Sequence, residues 1–228
     1  MIGNKMSELS PIKHDLTAAD QVEQKLVLAI ARQELVDGER LTESGLGKLL
    51  NVSRVPVREA TQRLLTYGVL ESAGARGLRV SDYGELRVKD LMEIRLAVEQ
   101  ILLKRVMEDA DKRYEVAVHL QEIVDRMAAL SSEADAVALS GIDLEFHKMI
   151  ARHSQNDLVE SVWDCLTPHL RIVFCRDWNN LSKRTGEVQD HQTLIDFIKE
   201  GNPDDVQTVL KQHFPTIQRN RVAGREGT

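Results

Sequence analysis

The run Asn51-Val-Ser-Arg-Val-Pro-Val-Arg-Glu-Ala-Thr-Gln-Arg-Leu-Leu-Thr-Tyr-Gly68 restricts the rest of the chain more than any other stretch. Ser53 is an N-cap residue type whose hydroxyl can take an orphan amide. Pro56 falls in the first turn, where its missing N–H does little harm, and Gly68 offers a left-handed stop. The spacing predicts a helix from Arg54 to about Tyr67, with Val57, Ala60, Leu64 and Leu65 toward a core and Arg54, Arg58, Gln62 and Arg63 outside. Arg54 and Arg58, four residues apart beside the positive helix N-terminus, suit phosphates and guanine edges. Taken alone, a helix of this kind reads first as a plain solvated face, and its neighbours reverse that reading.

Upstream, Thr17 with Asp20 forms a capping signal for a helix carrying Val22, Leu26, Ala29 and Ile30 and ending near Val36, where Asp37-Gly38 stops it. Thr42 caps a short second helix with Leu46, Leu49 and Leu50 on its apolar side, and Asn51-Val52 is the turn into the third. Three helices with a tight connection between the last two are the pattern of a helix-turn-helix whose final helix enters the major groove. After Gly68 the period changes. Val69–Ser72 and Gly77–Ser81 are β-prone runs around Ala73-Gly-Ala-Arg76, a hairpin wing whose tip Arg76 is placed to meet a minor groove or a phosphate. The formal charge of the whole chain is −6. Between Ser44 and Val80, however, six basic residues stand against Glu59 and Glu71, a local net of +4. The basic charge is thus concentrated on the one segment that looks built for DNA.

The remaining chain is helical in period. Val88, Leu91, Ile94, Val98, Ile101 and Leu102 mark a long first stripe, followed by helices over about 112–130, 134–152, 158–177, 187–200 and 203–221. The fold class expected is mostly α: an N-terminal winged helix-turn-helix plus an all-α bundle of six to seven helices. The divisions are a flexible arm over 1–16, a DNA-binding domain over 17–81, a linker over 82–86, an effector-binding and dimerisation domain over 87–221 and a tail over 222–228. The two cysteines, Cys165 and Cys175, fit no CxxC or zinc-ribbon spacing and read as thiols in a reducing cytoplasm. No run is long and apolar enough to span a bilayer, and the first residues lack the hydrophobic region of a signal peptide. No membrane partner is expected.

Within the bundle, Asp143 and His147 stand four apart on one helix and can converge on one ion. His191 opens the fifth bundle helix and His213 lies in the sixth. One carboxylate and three imidazoles would favour Zn²⁺, with Ni²⁺ or another first-row ion as alternatives, and would leave positions open for water or an effector. The competing account is a hydrogen-bonded polar core. Arg95 likewise has two readings: a bidentate clamp for an effector carboxylate, or an intrahelical partner for Glu99.

Gly38-Glu-Arg-Leu-Thr-Glu43, Leu46-Gly-Lys-Leu-Leu-Asn-Val-Ser-Arg-Val-Pro-Val-Arg-Glu-Ala60 and Arg63-Leu-Leu-Thr-Tyr-Gly-Val-Leu70 closely resemble the N-terminal signature of GntR-family bacterial transcription regulators. The helical remainder, with its Asp-x-x-x-His and two later histidines, resembles the FCD effector domain of the FadR-type subgroup. The resemblance implies a homodimer that binds a palindromic operator, usually as a repressor, under control of a small organic acid. It implies DNA contacts at Ser53, Arg54 and Arg58 in the recognition helix and at Gly74 and Ala75 in the wing. It also implies metal ligands at Asp143, His147, His191 and His213, and it matches Arg95 to an arginine frequent near the start of FCD domains. Two positions depart from the best-known members, Ser44 in place of Arg and Val55 in place of Thr. The function expected is a cytoplasmic DNA-binding regulator and not an enzyme. A metal-responsive sensor is the alternative, and a metallohydrolase a weaker one that would leave the winged helix unexplained.

Overall fold

Thr17 and Asp20 close a reciprocal capping box, each side chain accepting the other's backbone amide (3.1 and 2.9 Å), and α1 runs on as Ala18–Ala31. It ends well before the expected Val36. Gln33 takes a left-handed φ of 60°, and the amides of Glu34 and Leu35 both donate back to the Ala29 carbonyl, which turns the chain off the helix axis. The structure, a computed structural model, describes residues 16–74, 77–130, 136–179 and 187–214. The arm and tail expected at the two ends lie outside these residues, Leu16 excepted.

Helix α2 (Glu43–Leu50) is capped by the Thr42 hydroxyl, which accepts from the Gly45 amide at 3.1 Å. Leu46 is buried and Leu50 half-buried, whereas Leu49, expected inside, is 75 % exposed. An eight-residue helix shows its partner one narrow stripe, and Leu49 stands about 100° round from Leu50. Asn51 then adopts the left-handed conformation, and α3 follows as Arg54–Tyr67, ending at Gly68 with φ 82°. The buried face of α3 is Val57, Ala60, Thr61 and Leu64, with Leu65 only half-buried. Thr61 enters the core satisfied, its hydroxyl donating to the Arg58 carbonyl. Three antiparallel strands close this unit: β1 (Arg40–Leu41), β2 (Leu70–Ser72) and β3 (Leu78–Val80), in the order β1-β3-β2, with Leu41 opposite Leu78 and Leu70 opposite Val80. The two residues of β1 are too few to display an alternating pattern, and the sequence gives no sign of them.

The bundle consists of α4 (Glu85–Met107), α5 (Ala110–Ala129), α6 (Ala136–His153), α7 (Asp157–Asn179), α8 (Glu187–Glu200) and α9 (Val206–His213) among the described residues. Helix α4 starts at Glu85, inside the expected linker, because Gly84 takes the N-cap position and Tyr83 before it is already buried. Of its expected stripe, Val88, Leu91, Val98 and Leu102 are buried, while Ile94 and Ile101 are half exposed. Trp163, Phe146, Leu102, Leu120 and Leu170 are enclosed completely. At roughly 1.5–3 kcal/mol for each large side chain removed from water, this core stabilises the helices that carry the functional residues. Asn156 does cap α7, its side-chain oxygen accepting from the Val159 amide.

Arg176, His169 and Arg87 tie the bundle to the winged-helix half. Arg176 of α7 donates twice to the Asp37 carboxylate (2.8 and 3.0 Å) and once to the Ile30 carbonyl. Buried His169 donates from Nε2 to the Tyr67 carbonyl and accepts at Nδ1 from the Tyr83 hydroxyl, both at 2.8 Å. Arg87 donates to the Gly68 carbonyl. The end of α3 is thereby hydrogen-bonded to α4 and α7.

Candidate DNA-reading face and metal centre

Ser53 occupies the N-cap of α3 with extended backbone, but its hydroxyl makes no capping hydrogen bond, contrary to the sequence expectation. An N-cap oxygen is normally taken by the second or third amide of the helix. The third residue here is Pro56, which has no amide to give. The hydroxyl is left at the surface beside Arg54, Val55 and Arg58, all exposed. Neither guanidinium of Arg54 or Arg58 is held by a described side chain, so both are free to meet an external anion. Arg63 is different. It donates to Asp20 at 2.6 Å and lies 3.4 Å from Glu23, a contact that ties α3 to α1 and, with the Thr17 bonds, holds the Asp20 carboxyl down at about 2. In the wing, Gly74 has φ 96°, a conformation that favours glycine, at the turn where the Ala73 amide donates to the Gly77 carbonyl. Ala75 and Arg76, named from the sequence as DNA contacts, lie outside the described residues.

The four bundle residues singled out in the sequence do meet. His147 Nε2 and His213 Nε2 face each other at 3.3 Å, and His191 Nε2 is 3.2 Å from an oxygen of Asp143. The three histidines can place one nitrogen each within 4.8 Å of the others. Their orientation is set from behind. His191 donates from Nδ1 to the Glu187 carbonyl (2.7 Å), and His147 Nδ1 lies 2.6 Å from the Glu99 carboxylate. Both arrangements keep the proton on Nδ1 and turn the Nε2 lone pair inward, which is how ligating imidazoles are usually braced. No described partner fixes the tautomer of His213, so its Nε2 either donates to His147 Nε2 or faces it with a second lone pair, and the 3.3 Å between them matches the roughly 3–3.4 Å that separates ligands about 2.1 Å from one ion. The second Asp143 oxygen and His213 Nδ1 are buried without a hydrogen-bond partner among the described residues. The donor set therefore fits a divalent first-row ion.

The electrostatics agree. Burial pushes the Asp143 carboxyl up, but the His191 contact and the nearby His147, His191 and Arg95 charges outweigh it and hold it below the usual carboxylate range. Burial likewise opposes ionisation of Glu99, and Arg95 and His147 more than offset it. Burial drives His147 down, and His213 well down with the neighbouring histidines adding to the effect. Carboxylates held ionised, and burial that disfavours the charged forms of His147 and His213, are in the direction that metal binding requires.

Arg95 combines both of its readings. Its Nε donates to Glu99, while Nη2 is buried with no described partner and the guanidinium lies over Phe214 (4.0 Å) and Phe174 (4.8 Å). It lines a cavity of about 50 Å³ with Asp143, Phe174, His191, His213 and Phe214. Glu99 escaped the sequence reading as a partner of His147, since nothing in the sequence links positions that far apart. Tyr83 and His169 escaped it too, one sitting in an expected linker and the other among scattered histidines.

Comparison with known proteins places these features in a family. Residues 18–80 match the bacterial regulatory proteins of the gntR family, and residues 90–216 match the FCD domain. The HTH-type transcriptional repressor NanR of Enterobacter sp. (strain 638) is 26% identical over 237 aligned residues, covering 92% of this chain and 87% of NanR. The gluconate operon transcriptional repressor of Bacillus licheniformis is 25% identical, covering 79% of this chain and 75% of that protein. Among solved structures, E. coli McbR/YncC superposes with a TM-score of 0.69 at 18% identity, covering 92% of this chain and 97% of that one, a likeness of fold.

Proposed function

Because the chain belongs to the GntR family of bacterial transcription regulators, in the subgroup that carries an FCD domain, we propose that it is a repressor whose grip on a palindromic operator is set by a small carboxylate bound in the bundle. That it is a DNA-binding regulator and not an enzyme follows from the family. The exposed Arg54 and Arg58, held by no described side chain at the uncapped start of α3, carry the reading of the DNA contact. Ser53, Arg54 and Arg58 enter the major groove, and Gly74, Ala75 and Arg76 follow the neighbouring backbone or minor groove. One winged helix contacts too few base pairs for useful specificity, so the active form is a two-fold homodimer.

The internal control rests on one observation, the facing Nε2 atoms of His147 and His213 at 3.3 Å beside an Asp143 oxygen that has no partner among the described residues. Asp143, His147, His191 and His213 would hold the ion, Zn²⁺ first by donor type and Ni²⁺ next. Bound there, a divalent ion supplies positive charge and open positions for a carboxylate. Arg95 Nη2, aimed into the same cavity, takes the acid's second contact. With about 50 Å³ available, the cavity admits an ion and a few waters or a very small acid unless Phe174 and Phe214 move. That limit favours a second reading, in which the ion itself is the signal.

Selecting bound sequences from a random duplex pool, then titrating the selected site against Zn²⁺ alone and against small acids with Zn²⁺ present, separates the two. Enrichment of a palindrome and an acid-dependent loss of affinity are expected. No enrichment at physiological salt would remove the regulator's DNA target from this face, and a response to Zn²⁺ without any acid response would favour the sensor. Sedimentation giving only monomer at micromolar concentration, free and on DNA, would contradict the dimer.

A further inference from the structure

A second group of ligand-type side chains lies at the surface, away from the buried centre: Glu115 and His119 on α5 and His153 at the end of α6. Glu115 and His119 are four residues apart and share one face of their helix. His119 Nδ1 lies 3.1 Å from His153 Nε2, and His153 Nε2 lies 3.8 Å from the Glu115 carboxylate. The rings are tilted by 45° with centroids 5.1 Å apart, so the two nitrogens face each other without the rings stacking.

The tautomer of one ring is fixed by the fold. His153 Nδ1 donates to the Met149 carbonyl at 3.0 Å, one turn back in α6, which leaves its Nε2 as a lone pair directed at His119. This is the same bracing by a main-chain carbonyl that orients His191 at the buried centre. The ligand edges of a four-coordinate zinc shell are about 3.3–3.6 Å, given bonds of roughly 2.0–2.2 Å. The observed 3.1 and 3.8 Å bracket that value, and Glu115, exposed and hinged by its own rotamers, can close the difference. For His119 to become a ligand its proton need only sit on Nε2. Both histidines are half-buried, so little ordering is required of them.

We infer that Glu115, His119 and His153 form a second, surface site for a borderline divalent cation of the Zn²⁺ type, with two imidazoles, one carboxylate and a remaining position open to water. The site would pin the end of α6 to the first half of α5. Helix α6 also carries Asp143 and His147, but the surface site needs nothing from them.

The test is equilibrium dialysis of the full chain, stripped with a chelator, against Zn²⁺, with metal counted by elemental analysis and helix content checked by circular dichroism. Wild type should bind one equivalent more than either H119A or H153A, and E115Q should keep that equivalent with weaker affinity. His147→Ala combined with His213→Ala should retain it. Equal Zn²⁺ content in wild type, H119A and H153A, with helix content intact, would overturn the inference. Loss of all bound Zn²⁺ in the His147→Ala, His213→Ala chain would overturn it as well while upholding the buried centre. Loss confined to H119A and H153A would uphold the surface site and remove the buried one.

Discussion

The recognition helix and the centre of the bundle hold their functional side chains in opposite ways. On α3 the residues assigned to DNA lie outside: Arg54, Val55 and Arg58 are exposed, and the stability of the helix is carried by Val57, Ala60, Thr61 and Leu64 on its other face. In the bundle the candidate ligands are themselves core, with Asp143, His147 and His191 buried beside Phe146 and Trp163. Under the proposed assignment, function and stability are separable in the first region and share the same atoms in the second. A substitution on the α3 face should change DNA affinity alone, whereas one in the bundle centre should change metal binding and folding together.

The largest effect that could break this contrast is on DNA. Arg54→Ala and Arg58→Ala should each weaken binding to the selected operator by ~1–3 kcal/mol, or roughly 5- to 150-fold, with the melting temperature unchanged. Band shifts at several salt concentrations would also sort base contacts from phosphate contacts, since loss of a phosphate contact flattens the salt dependence. Unchanged affinity in both would remove α3 from the reading role.

A smaller effect sharpens the comparison within the DNA-binding half. Thr42 caps α2 with a real hydrogen bond and Ser53 does not cap α3. Thr42→Ala should therefore cost about 1 kcal/mol of stability, and Ser53→Ala only a few tenths while still weakening DNA binding. Equal stability losses in denaturant titrations would mean that the Ser53 hydroxyl is structural after all.

The smallest expected effect is on pH dependence at the junction. Burial lowers the His169 pKa although its Nε2–H bond to the Tyr67 carbonyl opposes this. A histidine whose folded value is depressed takes up its proton first in the unfolded chain. The stability it contributes is complete above about pH 6.5 and is lost as pH falls toward the folded value. His147 and His213 shift in the same direction, so stability should decline on acidification from about pH 6.5, and His169→Gln should remove part of the slope. A slope identical in His169→Gln would exclude a contribution from the junction.

How much of this was legible in the sequence follows from the same contrast. The winged helix was readable because its signals are local: a capping residue and a proline within one turn at the start of α3, a left-handed glycine at its end, and apolar residues at helical spacing between them. It failed where a local rule was overridden, as when Pro56 removed the amide Ser53 would have capped, or where the element was as short as Arg40–Leu41. The Asp143–His147 pair was also local, four residues on one helix. Its convergence with His191 and His213 was expected from the resemblance, since no spacing connects helices that far apart in the chain. Glu99 behind His147, and the Tyr83–His169 bridge, depend on which helices pack together and left no mark on the sequence.

The central claim, that one set of buried atoms in the bundle serves both binding and stability, is tested most directly by melting wild type, Arg58→Ala and His147→Ala with chelator and with saturating Zn²⁺. At a free concentration of about 1,000 times Kd the ion should add roughly 4 kcal/mol. For a chain of this size that corresponds to about 2–4 °C for each kcal/mol. Wild type and Arg58→Ala should show the same large rise, and His147→Ala should keep only the part that the surface site of Glu115, His119 and His153 contributes. A rise in His147→Ala as large as in wild type would contradict the claim and leave Asp143, His147, His191 and His213 as polar core.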